Sequence, residues 1–249
     1  MLEVLNLSKR FGGLRAVWDL SFAVEEGDVL GVIGPNGAGK TTLLNLITGY
    51  LAPDSGDIRF EGKPIGGIRP FQICRMGIGR TFQIVQPFAE MSVEDNVVAA
   101  TLFSAKRYVS VNEGRKRAQF PLELTGLWAS RHQLAGTLSI GNKKKLELAR
   151  ALAVRPRLLL LDEVMGGLSG PEIVEIVEVL ERIHKRGTTI LMIEHLVEVM
   201  LRMTRRILVL NFGEKLFEGP PNEVVEHPAV IETYLGRPLE VARNDQAVR

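Results

Sequence analysis

Two short stretches carry residue types and spacings that can do chemistry. Gly34-Pro35-Asn36-Gly37-Ala38-Gly39-Lys40-Thr41, followed by Thr42, has the phosphate-loop spacing: a glycine, four residues, then Gly-Lys-Thr. Its glycines let the backbone wrap so that successive N–H groups point inward at phosphate oxygens. Lys40 can reach the β- and γ-phosphates of a nucleoside triphosphate, and the Thr41 hydroxyl can ligate Mg²⁺. The helix expected after the loop turns its positive end toward the same anion. Much later, the apolar run Leu158-Leu159-Leu160-Leu161 ends in Asp162-Glu163. An aspartate at the end of a buried strand beside a phosphate loop can hold Mg²⁺, directly or through water. The carboxylate next to it can polarise an attacking water. Either stretch alone is an ordinary loop or a solvated strand end; together they read as nucleotide binding and hydrolysis.

A third stretch, Leu138-Ser139-Ile140-Gly141-Asn142, opens a helix. By itself Ser139 is a helix cap. With the other two stretches in view, Ser139 and the nearby backbone N–H groups would face an anion.

The elements that must position these residues are legible from periodicity. Trp18, Leu20, Phe22 and Val24 alternate with Asp19, Ser21 and Ala23, which predicts a half-buried strand. Ile58 and Phe60 predict another, turned at Gly62-Lys63. Val29-Leu30-Gly31-Val32-Ile33 is a buried strand running into the phosphate loop, and Leu43, Leu44 and Ile47 mark the inner face of the helix after it. From Ile84 to Thr137 the texture becomes helical: Ser92 is a candidate cap for a helix carrying Val93, Val97 and Ala100. Asn112 to Gln119 is polar and reads as an exposed helix or loop, with Arg115, Lys116 and Arg117 on a solvated face. A helix from Lys143 to Val154 stops before Pro156. The Leu158–Leu161 run and Thr189 to Ile193 read as parallel strands covered on both faces, with a helix from Pro171 to Lys185 between them. Asn211-Phe212-Gly213-Glu214 is a hairpin signal.

Composition narrows the class. The chain has 249 residues with 45% hydrophobic, enough for a sizeable core, and a net charge of +2 that calls for no nucleic acid. Its lone cysteine, Cys74, allows no internal disulfide and fits a reducing compartment. The first residues lack a secretory pattern, and no run approaches the roughly 18 apolar residues of a membrane span. A membrane process served by this chain would need another chain as its channel.

Taken in this order along the chain, the three stretches resemble an ABC ATPase, whose signature loop reads LSGGQ and precedes the Walker B carboxylates as here. The resemblance runs from Met1 to about Gly236 and implies an α/β fold, a RecA-like P-loop core with an antiparallel β portion and a helical insertion. It implies one domain over residues 1–236, with the insertion at about 84–155 and a tail at 237–249. It gives Phe11, otherwise an edge aromatic, the role of stacking on adenine. Gln83, in Arg80-Thr81-Phe82-Gln83, resembles the Q-loop glutamine that senses Mg²⁺ and attacking water. His195, after Ile193-Glu194, resembles the switch histidine on the γ-phosphate, and Gly167-Leu168-Ser169 stands at the D-loop. The catalytic set so implied is Glu163, His195, Gln83 and Lys40. Mg²⁺ falls to Thr41, Gln83 and Asp162, and ATP to the phosphate loop, Phe11, Ser139 and Gly141. Ile140 and Asn142 depart from the signature, Val164 replaces a usual proline, and Ser169 replaces a usual aspartate.

The resemblance further implies a second ABC ATPase subunit, permease subunits, a periplasmic or surface solute receptor, and a place on the cytoplasmic face of the inner membrane. Glu194-His195-Leu196-Val197-Glu198-Val199-Met200 and Val230 to Gly236 are similar to the branched-chain amino acid importer subgroup. The alternatives are a lipopolysaccharide-export ATPase, a non-transport ABC ATPase of DNA repair or translation, and a monomeric P-loop kinase, which would leave the signature loop unexplained.

Overall fold

The computed structural model describes residues 1–105 and 107–235; the tail expected from residue 237 lies outside them. Two sheets carry the fold. β1 (Leu2–Phe11), β2 (Leu14–Val24), β4 (Ser55–Phe60) and β5 (Lys63–Pro64) make an antiparallel sheet in the order β2-β1-β4-β5. β3 (Val29–Ile33), β6 (Ile78–Arg80), β7 (Leu158–Asp162), β8 (Thr189–Ile193), β9 (Arg206–Asn211) and β10 (Glu214–Gly219) make the other, in the order β10-β9-β3-β8-β7-β6. All its neighbours are parallel except β9 and β10, the expected hairpin. Phe212 and Gly213 at its turn both have positive φ, 46° and 83°, the pair of left-handed residues that matches the twist of the flanking strands.

The helices are α1 (Lys40–Ile47), α2 (Pro70–Met76), α3 (Val93–Ser104), α4 (Val111–Leu124), α5 (Ile140–Ala153), α6 (Gly170–His184), α7 (Val197–Met203), α8 (Pro221–Glu226) and the single turn α9 (Pro228–Val230). The parallel strands are covered on both faces, which explains their uninterrupted apolar runs. Leu158, Leu160, Leu191 and Ile193 point into one core with α1 and the antiparallel sheet. Leu159, Leu161, Ile190 and Met192 point into a second core under α6 and α7. α3, α4 and α5 close a third around Val93, Val97, Leu122, Leu146 and Ala149.

Several local readings are refined. β2 alternates as expected at Leu20, Phe22 and Val24, but Trp18 is only half-buried and Val17 takes the core position. Asp19 has φ 48° and the β1–β2 register shifts here, so the alternation slips by one residue. Trp18 instead stacks under the Arg15 guanidinium at 4.0 Å. The Asn112–Gln119 stretch is helical: Ser110 caps α4, and Ala118 and Leu122 are buried. Arg115 on that helix pairs with Glu94 and Asp95 of α3, so it joins two helices instead of standing free in solvent. α5 begins at Ile140, as Ser139 in the role of cap implies, and the Ser139 hydroxyl accepts the Asn142 N–H. α2 and β6 were not anticipated; seven and three residues long, they are too short for periodicity to reveal.

Candidate functional site

Because β3, β8, β7 and β6 are parallel neighbours, their carboxyl ends line one edge of the sheet, where ligands bind in open α/β folds. Gly34 follows β3, Asp162 ends β7 with Glu163 next, His195 lies two residues past β8, and Thr81 to Gln83 follow β6. Sequence positions as far apart as 34 and 195 thus meet at one edge.

The loop from Gly34 to Gly39 is held open by backbone that only glycine tolerates. Gly39 caps α1 with φ 98°, and a Cβ there would sit 2.2 Å from the Ala16 carbonyl oxygen. A Cβ on Gly34, φ 148°, would sit 2.1 Å from that of Leu210. Ala38 is buried, whereas Asn36, Gly37 and Thr41 are exposed and Pro35, Lys40 and Thr42 are half-buried. Lys40 Nζ donates to the Gly34 and Pro35 carbonyl oxygens at 2.7 and 2.9 Å. An ammonium has three donors, so one is left for a phosphate oxygen. Burial draws Lys40 below the usual lysine range, while Glu163 and Asp162 pull the other way. Ala16 belongs to the β1–β2 hairpin, in which Phe11 pairs with Leu14, so the half-exposed Phe11 ring stands on the hairpin that touches Gly39.

Asp162 is buried, with its Oδ2 on Arg80 at 3.0 Å. Its Oδ1 is buried with no protein hydrogen-bond partner. Burial raises its pKa, and Arg80 opposes that shift. A hard divalent cation would satisfy the orphaned oxygen. Among the described residues no cluster of three or more His, Cys, Asp or Glu could cage a metal. A Mg²⁺ ion held by one carboxylate, a hydroxyl and substrate phosphates needs no such cage, so the residues present fit it.

Glu163 has φ 47°, a left-handed conformation costing a non-glycine residue about 1–3 kcal/mol. Surrounding bonds hold it there: its N–H donates to Ile193 O at 2.9 Å, and its carbonyl accepts from Gly166 N at 3.2 Å. Gln83 Nε2 donates to Glu163 Oε2 at 2.8 Å. The carboxylate is thereby aimed, with one oxygen still available to accept a proton from water. His195 is exposed beyond β8.

Ser139 and Gly141 are placed differently. No hydrogen bond among the described residues joins them to the phosphate loop, and a Cβ at Gly141 would lie 2.4 Å from Glu172 Oε1. The signature stretch therefore packs on the start of α6. There Ser169 donates its N–H and hydroxyl to Glu172 at 2.9 and 2.7 Å, so the residue in place of the usual aspartate caps α6.

Arg80, Lys144, Glu147 and Glu194 are buried or half-buried ionisable residues beside this edge that have no role assigned from the sequence. Lys144 and Glu147 share the buried side of α5 with Gly141, Leu148 and Ala151. Glu194 is fully buried, accepts the Met165 N–H, and is pushed up to about 7, chiefly by burial. The sign follows from which state holds the proton. The folded protein keeps Glu194 protonated at pH values where the unfolded chain has released it. Its contribution to stability is full below the ordinary glutamate value and is lost as pH rises to about 7. Glu194→Gln, which can still accept from Met165, is expected to flatten this fall and to stabilise the protein at pH 8 by about 1–3 kcal/mol. Urea titrations of both proteins at pH 5 and pH 8 measure it, and parallel pH dependences would refute it.

Comparison with known proteins bears directly on this edge. The ABC transporter family matches residues 17–166, which hold the phosphate loop, Gln83, the signature stretch and Asp162-Glu163. The chain belongs to the ABC transporter family. A second family, described as branched-chain amino acid ATP-binding cassette transporter, matches residues 214–240 of this ABC ATPase. The high-affinity branched-chain amino acid transport ATP-binding protein BraF of Pseudomonas aeruginosa is 37% identical, over 95% of this chain and 98% of its own. LivG of Escherichia coli, of the same description, is 36% identical over the same shares. Among solved structures, the ADP conformation of an ATP-binding cassette of an ABC transporter superposes with a TM-score of 0.87 at 33% identity, covering 95% of this chain and 99% of that one. A dimeric bacterial ABC transporter cassette superposes with a TM-score of 0.80 at 26% identity, covering 89% and 99%. This chain is an ATPase of the transporter class, with the RecA-like cassette fold. Among its described residues no helix is long and apolar enough to cross a membrane.

Proposed function

We propose that this subunit hydrolyses Mg·ATP at the Gly34–Thr41 edge to power import of a branched-chain amino acid through a separate membrane permease. The observation that carries the reading is the convergence of Lys40, Asp162, Glu163 and Gln83 at one sheet edge of a chain 37% identical to BraF.

The backbone N–H groups of Asn36, Gly37 and Gly39 through Thr42 wrap the phosphates, and Lys40 moves its free donor onto the β- and γ-oxygens. Phe11 stacks on adenine. Thr41, Asp162 and Gln83 would hold Mg²⁺, which would supply positive charge against the phosphates. Gln83 keeps Glu163 aimed, Glu163 takes the proton from the attacking water, and His195 contacts the γ-phosphate. Ser139 and Gly141 lie away from their own phosphate loop, and this supports a second subunit whose nucleotide they face. The single-domain extent over residues 1–236, a periplasmic or surface receptor, and a position on the cytoplasmic face of the inner membrane all belong to the same proposal.

Two outcomes are expected. Phe11→Ala should weaken ATP binding several-fold, since an aromatic stack contributes about 0.5–1.5 kcal/mol beyond burial. Nucleotide titration reads it, and an unchanged Kd returns Phe11 to an edge aromatic. Deleting the gene should abolish high-affinity uptake of labelled leucine, isoleucine or valine. Normal uptake of all three, with defective lipopolysaccharide in the outer membrane, would replace this reading with an export ATPase.

A further inference from the structure

We propose that Lys144 and Glu147 are positioning residues, a pair of buried charges on α5 that fastens the Phe82–Gln83 backbone to the signature helix and so sets the Gln83–Glu163 hydrogen bond. Lys144 is 5% exposed although it sits in a run of three lysines, and Glu147 is 7% exposed. Lys144 Nζ donates to the Gln83 carbonyl oxygen at 2.9 Å and to the Glu163 carbonyl oxygen at 3.3 Å. Glu147 Oε1 accepts the Phe82 N–H. The two side chains are one helical turn apart and grip both ends of a two-residue segment: the N–H where it starts and the carbonyl where it finishes.

Burying both groups is costly: Glu147 Oε2 is buried with no protein hydrogen-bond partner, and burial pushes its carboxyl up to about 7. Nothing in the fold of α5 requires them, because Leu146, Leu148 and Ala149 already supply its apolar contacts. What they add is registry. Gln83 follows a three-residue edge strand, and its side chain is exposed. Without the grip of Lys144 and Glu147, its amide would depend on that loop alone for its aim at Glu163. The same ammonium also holds the carbonyl of Glu163, whose left-handed backbone needs outside restraint.

The pair gives α5 a second task. Ser139 caps its first turn, and Lys144 lies about 7.5 Å further along at 1.5 Å per residue. One rigid helix therefore carries the signature residues at its tip and the restraint on its own chain's Gln83 and Glu163 along its side. A shift of α5 driven by nucleotide at the tip displaces the catalytic pair of the same chain. This links two sites without the aspartate that Ser169 replaces. The inference rests on the proposed roles of Gln83 and Glu163.

Steady-state ATPase assays of the full-length protein test it, in a double-mutant cycle with Gln83→Ala. Lys144→Met should lower kcat by about 10–100-fold, the scale of a catalytic group misplaced by about 1 Å, while leaving KM and nucleotide Kd within about twofold. Lys144→Arg, which can still reach both carbonyls, should recover most of the loss. In the Gln83→Ala background Lys144→Met should cost clearly less, only the part carried by its bond to the Glu163 carbonyl, because residues acting through one another are not additive. If Lys144→Met lowers the thermal midpoint too far to assay, Lys144→Gln is read in its place. Equal losses in both backgrounds, or a wild-type kcat for Lys144→Met while Gln83→Ala is impaired, would overturn the clamp and leave the catalytic reading standing. A wild-type kcat for Gln83→Ala itself would overturn the catalytic reading first.

Discussion

Glu163→Gln is expected to bind ATP as the wild type does and to turn it over about 10²–10⁴ times more slowly, the usual loss of a general base. The substitution changes almost nothing else. Glutamine has the same length, its carbonyl oxygen can accept from Gln83 Nε2 as Glu163 Oε2 does now, and the backbone bonds to Ile193 and Gly166 are untouched. What disappears is an oxygen able to take a proton from water. With hydrolysis stopped and binding intact, ATP should hold two subunits closed, so sizing chromatography with ATP should show a dimer that persists in the mutant and turns over in the wild type. Wild-type phosphate release by the mutant would remove Glu163 from catalysis.

Lys40→Ala should largely abolish ATP binding. The ammonium is the loop's own cation and is anchored 2.7 Å from Gly34 O. Alanine removes the charge while keeping the backbone of α1, whose core contacts come from Leu43, Leu44, Leu46 and Ile47. The fold should therefore survive, and the loss should be specific to the phosphates. Nucleotide titrations of the two proteins measure it, and equal affinities would detach the loop from nucleotide.

The parts of this site that were legible in the sequence are those whose chemistry is local. Gly34 to Thr41 shows its spacing within one loop, and Asp162-Glu163 ends a run whose burial on both faces follows from composition. Ser139 is readable as a cap because its partner, the Asn142 N–H, is three residues away. The hidden parts depend on partners far along the chain. Lys144 looks like a solvated lysine in a run of three until the Gln83 carbonyl, 61 residues earlier, meets it in space. Arg80 and Asp162 are 82 residues apart and meet only because β6 and β7 are neighbours. The displacement of Trp18 comes from a register shift between strands, which no single-strand pattern records. Resemblance to the family supplied Phe11, Gln83 and His195, for which the residues alone gave no role.

The most direct test of the central claim is ATP-driven uptake in vesicles holding this subunit with its co-purified membrane and receptor proteins. Wild-type vesicles supplied with Mg·ATP on the ATPase side should accumulate labelled branched-chain amino acid, and vesicles carrying Glu163→Gln should bind ATP yet accumulate none. Equal accumulation in the two would contradict the claim that hydrolysis at Glu163 powers import.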